Sequence, residues 1–429
     1  MSPRPAAPHL ARSRIDLDAL RGLAALMVAA FHGLMWLRVA GDERLLMLPV
    51  WEPSTLQGTL VRALLALCNG AMAVDLFFVL SGFVLAASLA GMPVTPRTML
   101  AFYVRRVLRL WPAYIASLAL AAVYLGWFRG EFHPWPQASS WMSLFYRDSV
   151  WAADWAANLL LSSVALSPVA WTLRVEVVMS AFLPWLVWCA RPLGGFMAIL
   201  AIAAGFVVSP FHRHDEVGHY FYIFLIGAYG WMFRDSLAAA LHRCRRLSVP
   251  VMPGCLCALW VPGFVTLEHH PLADLSMSLG AMGLILCLVE PTGGTVPALR
   301  RSGVWASLAR LGTVSYSFYL CHFVVLYATA WAVLANVPQT MQASWPLPVM
   351  GAVLLVSLAP AIALASAVHR WVELPFMQLG RRLAHRLAEA GPQPKPRCES
   401  PSAGAHDRPM RAAARSSRSR RRPAGGTKS

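Results

Sequence analysis

Ten apolar runs, at 17–37, 64–89, 101–127, 169–190, 193–210, 219–235, 249–267, 273–290, 312–335 and 347–371, leave this chain few ways to fold. Each is long enough to be read as crossing a hydrocarbon core of about 30 Å. Inside lipid every backbone N–H and C=O must be satisfied within the protein, so such runs become helices packed side by side. The predicted class is an all-α polytopic membrane protein of about ten transmembrane helices in one bundle. Composition agrees: 57% of residues are apolar and 13% charged, against about 25% charged in a soluble domain. The fifth and eighth runs are the weakest. Segment 151–168 is amphipathic and bounded by Pro168, which predicts a surface or re-entrant helix.

Arginine between the runs sets the orientation. Fifteen (Arg4, Arg12, Arg14, Arg97, Arg105, Arg106, Arg109, Arg191, Arg234, Arg243, Arg245, Arg246, Arg300, Arg301 and Arg310) fall in the N-terminus or in every second connection. The alternate connections carry six: Arg38, Arg44, Arg62, Arg129, Arg147 and Arg213. The positive-inside rule places both termini in the cytoplasm, which an even number of spans requires. No small-residue cleavage site follows Trp36, so the first run reads as an uncleaved span. Residues 1–13 are then a cytoplasmic segment, 14–380 the membrane domain, and 381–429 a basic cytoplasmic tail. From 391 the tail holds ten Lys or Arg against two acids and no aromatic residue, a composition too polar to pack. Its run Ser416–Arg422 suits anionic lipid headgroups, and nothing else in the chain points to nucleic acid.

Eight cysteines lie mostly in apolar runs without a Cys-x-x-Cys, and are read as buried free thiols. His212, His214 and His219 with Asp215 and Glu216 match no ligand spacing, so a polar external loop is expected and no metal.

The chemistry sits in polar residues within the spans, where each costs several kcal/mol and therefore marks a site. Arg21 and His32 are eleven residues apart, which returns a helix to within about 20° of its starting face and separates them by roughly 16 Å. Asp18, one turn before Arg21, can pair with it. Asp75 and Ser81 lie in the apolar run Val74–Phe83, and Arg105, Arg106 and Arg109 lie at the cytoplasmic end of the third span, followed by Pro112. Clustered guanidiniums suit phosphate, which they grip bidentately. Trp171, Thr172 and Glu176 open the fourth span; Ser315, Tyr319 and His322 share a face of the ninth; His369 and Glu373 form a local pair ending the tenth.

These segments, Leu17–Ala24 with Arg21-x10-His32, Val74–Phe83, Tyr103–Pro112, Trp171-Thr172-Leu173-x2-Glu176, Ser315–His322 and Trp371-Val372-Glu373-x-Pro375, together resemble acyltransferase family 3. The likeness runs in family order over 14–380. It implies a bundle with an internal acyl-donor channel, in the bacterial inner membrane. It also implies O-acylation of a carbohydrate or glycolipid hydroxyl, such as lipopolysaccharide O-antigen, from acyl-CoA, with acetyl-CoA the commonest donor and no bound cofactor. The resemblance makes His32 the catalytic base and Arg21 its partner in placing the donor. Arg106 and Arg109, with Arg105, meet the CoA phosphates; Asp18, Asp75, Ser81, Trp171, Glu176, Tyr319, His322 and Glu373 support the site. No SGNH-type hydrolase domain is recognised after the spans, which leaves room for a separate periplasmic acyl-handling protein. The rival is a transporter or flippase for a lipid-linked sugar, but neither internal repeats nor matched Gly/Pro breaks occur.

Overall fold

In the computed structural model, residues 8–39, 45–90, 92–128, 135–143, 150–190, 194–212, 216–246, 250–289 and 300–389 are described. Each predicted span overlaps helical residues, the second of them divided between two helices. The helices are α1 (Pro8–Gly33), α2 (Leu56–Leu67), α3 (Gly70–Leu89), α4 (Pro96–Phe128), α5 (Ser140–Ser143), α6 (Ala152–Leu159), α7 (Trp171–Ala190), α8 (Gly194–Val208), α9 (Glu216–Met232) and α10 (Arg234–Arg246). They continue with α11 (Val251–Val265), α12 (Pro271–Val289), α13 (Gly303–Thr313), α14 (Ser315–Asn336), α15 (Gln339–Ser344), α16 (Pro346–Val368) and α17 (Leu374–Glu389). No β-strand occurs among the described residues. Segment 151–168 contributes only the short α6 and a turn leading into α7.

Local chemistry explains the boundaries. Thr55 and Asn69 accept backbone N–H bonds from Gly58 and Met72, so the predicted second span is broken at Cys68–Asn69 into α2 and α3. Proline occupies the first position of α4, α12 and α16, where its missing N–H costs nothing. Pro112, Pro184, Pro262 and Pro360 lie inside helices, a placement tolerated in membrane helices.

Six stretches are long and apolar enough to cross a membrane: Leu56–Leu89, Pro96–Trp127, Pro168–Cys189, Pro271–Val289, Ser315–Asn336 and Pro346–Leu387. The eighth predicted span is among them. The apolar helices α8 and α11 have 15 residues each and α9 has 17, all short of that length, and the first predicted span, within α1, is not among the six either, so the described residues give six such stretches rather than the ten expected. Large side chains point outward from several helices, including Phe182, Trp185, Phe196, Ile199, Leu355 and Val356, as a lipid-facing surface requires. The chain is a multi-pass membrane protein.

Two crossings set the interior. A methyl group on Gly22 of α1 would overlap the Leu308 carbonyl of α13, and one on Gly312 would overlap the Asp18 carbonyl. The backbones therefore touch there, as small residues permit in membrane bundles. Gly82 of α3 and Gly227 of α9 abut the carbonyls of Phe224 and Val79 in the same way. Asp16 ties this end together by accepting from Arg300 (2.5 and 3.1 Å) and from the Trp305 indole (3.0 Å). Helix α17 continues through Glu389, past the position 380 at which the tail is expected to begin. Its Gly380 lies against Leu108 and Arg105 of α4.

Candidate active site

A cavity of about 760 Å³ opens between α1, α3, α4, α7, α14 and α17. Its wall carries Asp18, Arg21, Ser81, Arg105, Arg106, Arg109, Glu176, Tyr319 and Glu373 among the residues expected from sequence, and also Thr172, His369 and Arg381. Five arginines thus face three carboxylates. Arg21 pairs with Asp18 at 3.0 Å, and the close crossing at Gly22 and Gly312 fixes where that pair stands. Arg106 donates to Glu176 at 2.7 Å and to the Ser180 hydroxyl at 2.8 Å. Glu373 lies in a single wide turn between α16 and α17, where it accepts from Ser317 (2.7 Å) and bonds His369 (2.9 Å). Such π-turns recur at functional positions.

With those pairs closed, Arg105, Arg109 and Arg381 have no carboxylate partner among the described residues. Arg105 and Arg109 donate to methionine sulfurs, those of Met92 and Met377. The unpaired positive charge in the wall is therefore theirs, while Arg106 is committed to Glu176 and Ser180.

His32 does not line this cavity. Eleven residues of helix carry it out of the compartment that holds Arg21, to a position beside His322 of α14. The two imidazoles lie 4° from coplanar, with Nδ1 of His32 3.1 Å from Nε2 of His322. His322 Nδ1 is 2.7 Å from the Tyr319 carbonyl. A carbonyl only accepts, so His322 carries its proton on Nδ1 and presents a lone pair at Nε2. That lone pair accepts a hydrogen bond from His32 Nδ1–H, which leaves His32 Nε2 unprotonated. Tyr319 joins the compartments: its ring is on the cavity wall, 5.8 Å from the His322 ring, and its hydroxyl lies 3.1 Å from the Thr172 hydroxyl. Phe77 closes the same point edge-on at 6.1 Å.

Two expected residues lie elsewhere. Trp171 packs against Phe78, Tyr220 and His269 rather than on the cavity. Asp75 is fully buried, with no hydrogen-bond partner among the described residues, and senses the charge of Asp274 on α12. Asp274 is held by His219 at 2.8 Å, and His219 lies 3.2 Å from the Ser209 hydroxyl. His219 is thus a buried partner of α12, not part of a polar external loop. Among the described residues no group of His, Cys, Asp and Glu is arranged to hold a metal.

The family model for the acyltransferase domain matches residues 14–365. The chain belongs to acyltransferase family 3. Acyltransferase MdmB of Streptomyces mycarofaciens is 26% identical over 333 residues, covering 73% of this chain and 82% of that protein. BcsY of Komagataeibacter xylinus, whose name describes a membrane-bound transacylase, is 25% identical over 370 residues, 80% of each chain. No solved structure matches. The membership makes the protein an acyltransferase and displaces the transporter reading.

Several residues of the cavity and of the histidine pair escape the sequence. Arg381 lies eight residues after Glu373, on α17, a helix that continues beyond the apolar run. Its signal was the 3.6-residue period, hidden by the polar composition of α17. Ser180 and Ser317 are single hydroxyls in apolar runs and carry no signal of their own. Trp141, whose ring centroid is 5.2 Å from that of His32, comes from a connection without periodicity.

Proposed function

We propose that the protein transfers an acyl group, acetyl in the simplest case, from acyl-CoA to a hydroxyl of a carbohydrate or glycolipid. His32 is the general base. The observation that carries this reading is the hydrogen-bonded chain from the Tyr319 carbonyl through His322 to His32. It leaves the His32 Nε2 lone pair directed away from His322, where an acceptor hydroxyl can meet it. Nε2 takes the hydroxyl proton as the oxygen attacks the thioester carbonyl. The C–S bond breaks, and the same proton passes to the departing CoA thiolate, so the base is regenerated. The imidazolium formed in between keeps its Nδ1–H on His322. A base placed in this way contributes about 10²–10⁴-fold.

The donor's phosphates are held by Arg105, Arg109 and Arg381, the cavity arginines left without carboxylates, in the geometry guanidinium offers phosphate. Arg21 stands at the same wall with its charge shared by Asp18. The pantetheine arm runs along the cavity toward Tyr319 and Phe77 and delivers the thioester to the histidine pair. In a ten-helix bundle oriented by its arginines, this cavity opens to the cytoplasm, where acyl-CoA is made. The acceptor reaches His32 from the opposite face of the bacterial inner membrane, with or without a periplasmic acyl-handling partner. Binding of acetyl-CoA to purified protein, measured by calorimetry, tests the donor side. Arg109→Ala with Arg381→Ala should abolish it, and unchanged affinity would remove these residues from the donor site.

A further inference from the structure

His32 has a roof. After α1 ends at Gly33 the chain runs on as 34–39, and the strap 135–143 lies across it. Arg38 N–H donates to the Gln137 carbonyl at 2.8 Å, and Ser139 N–H to the Trp36 carbonyl at 3.0 Å. Leu37 and Ala138 pair in an isolated bridge, and the Arg38 guanidinium donates to the Ala138 carbonyl at 3.0 Å. The Ser139 hydroxyl donates to the Met35 carbonyl at 2.5 Å and caps the short helix α5. On the far side the Tyr327 hydroxyl reaches the carbonyls of Trp141 and Met142 at 3.3 and 3.4 Å. The strap is thus pinned to the segment that follows the His32 helix and to the helix that carries His322.

What it carries over His32 is an indole. The Trp141 ring centroid is 5.2 Å from that of His32, with 31° between the planes. Phe323 stands edge-on to His32 at 5.6 Å and to Trp141 at 5.7 Å, and Phe31 lies 6.3 Å away. Apart from His322, the rings found beside the imidazole are aromatic and apolar. A base that deprotonates an alcohol beside a thioester also deprotonates water, which is smaller and far more abundant, so transfer requires that water be kept out.

We propose that Trp141, held by the strap 135–143, is the residue that decides between acyl transfer and hydrolysis, by excluding water from His32. This rests on His32 acting as the base. In the side reaction it suppresses, His32 takes a proton from water and the water oxygen attacks the thioester. The C–S bond breaks to give the free carboxylic acid, and the proton ends on the CoA thiolate.

The test uses the full-length protein in lipid nanodiscs with acetyl-CoA and no acceptor, following thiol release. Trp141→Ala should raise release by about tenfold over the unmodified protein, whereas a folding defect would lower it. Trp141→Phe, which keeps a ring, should stay near the unmodified protein. Ser139→Ala, which only loosens the strap, should give a smaller rise. Deuterium exchange at the C2 hydrogen of His32, read by mass spectrometry, reports water access whether or not acetyl-CoA is turned over, and should quicken in Trp141→Ala. Exchange at the unmodified rate overturns the shielding proposal. A rise in release that survives in the double variant Trp141→Ala/His32→Ala supports the shield and overturns His32 as the base. A rise abolished in the double variant supports both.

Discussion

In the proposed mechanism His322 is the residue on which the chemistry of His32 turns, because an imidazole acts as a base at Nε2 only if its proton is parked on Nδ1. The Tyr319 carbonyl sets the first tautomer and His322 the second, an arrangement that works through backbone geometry as much as through side chains. His322→Ala should lower transfer by about 10²–10⁴-fold, as losing the partner that fixes a catalytic tautomer does elsewhere, with donor affinity unchanged. Transfer rates within a few-fold of normal would show that His32 orients itself. Among the arginines, Arg109→Ala and Arg381→Ala should each weaken donor binding by about 10–100-fold, the worth of one charge-assisted bond of about 1.5–3 kcal/mol. Arg106→Ala should instead lower stability, because it strands the Glu176 carboxylate, whereas the Ser180 hydroxyl keeps its bond to the Glu176 carbonyl. Thermal unfolding and acetyl-CoA titration of the three variants separate the two effects. The sequence made Arg106 and Arg109 a pair because three residues separate them; it could not show that Glu176, seventy residues away, claims one of them. It likewise placed Arg21 and His32 on one stripe, correctly as helical geometry, while the 16 Å rise between them puts them in different compartments.

Helices were legible because hydrophobic length is a one-dimensional signal, and all ten predicted runs are helical. What that signal lacks is interruption and crossing. The break at Asn69 comes from a side-chain cap, and α17 continues as a polar amphipathic helix that carries Arg381 back to the cavity. The crossing of α1 and α13 depends on single glycines whose neighbours are distant in sequence. Gly312→Val should therefore be severe, about 3 kcal/mol or more, since the overlap is with backbone and cannot be relieved by a rotamer change. It should also displace Asp18 and Arg21 together, so donor binding and thermal stability should fall in step. A variant at Gly303, where an added side chain meets nothing within 4 Å, should be neutral in both measurements. A stable, fully active Gly312→Val protein would mean that α1 and α13 do not touch at this point.

At the scale of the molecule, the bundle holds an arginine-lined cavity, proposed to take the donor, and a histidine pair under an aromatic roof, joined at Tyr319. The division has a sidedness, which rests on fifteen arginines against six in the two sets of connections. Cysteine at Ser140, an exposed strap position, should react with an impermeant thiol reagent in intact cells, and cysteine at Gly303 only after permeabilisation. The background must lack the exposed Cys189 and Cys257. Labelling of Gly303→Cys from outside would invert the topology and put the donor cavity on the wrong side. Ser139, which the charge pattern alone would recommend for labelling, is half-buried with its hydroxyl on Met35. The whole scheme stands or falls on transfer requiring the His32 imidazole. The decisive measurement is mass spectrometry of surface glycan from cells lacking the protein, complemented with the normal chain or with His32→Ala at equal membrane abundance. Acyl groups should return with the normal chain and be absent with His32→Ala; their return at normal levels with His32→Ala would contradict the account.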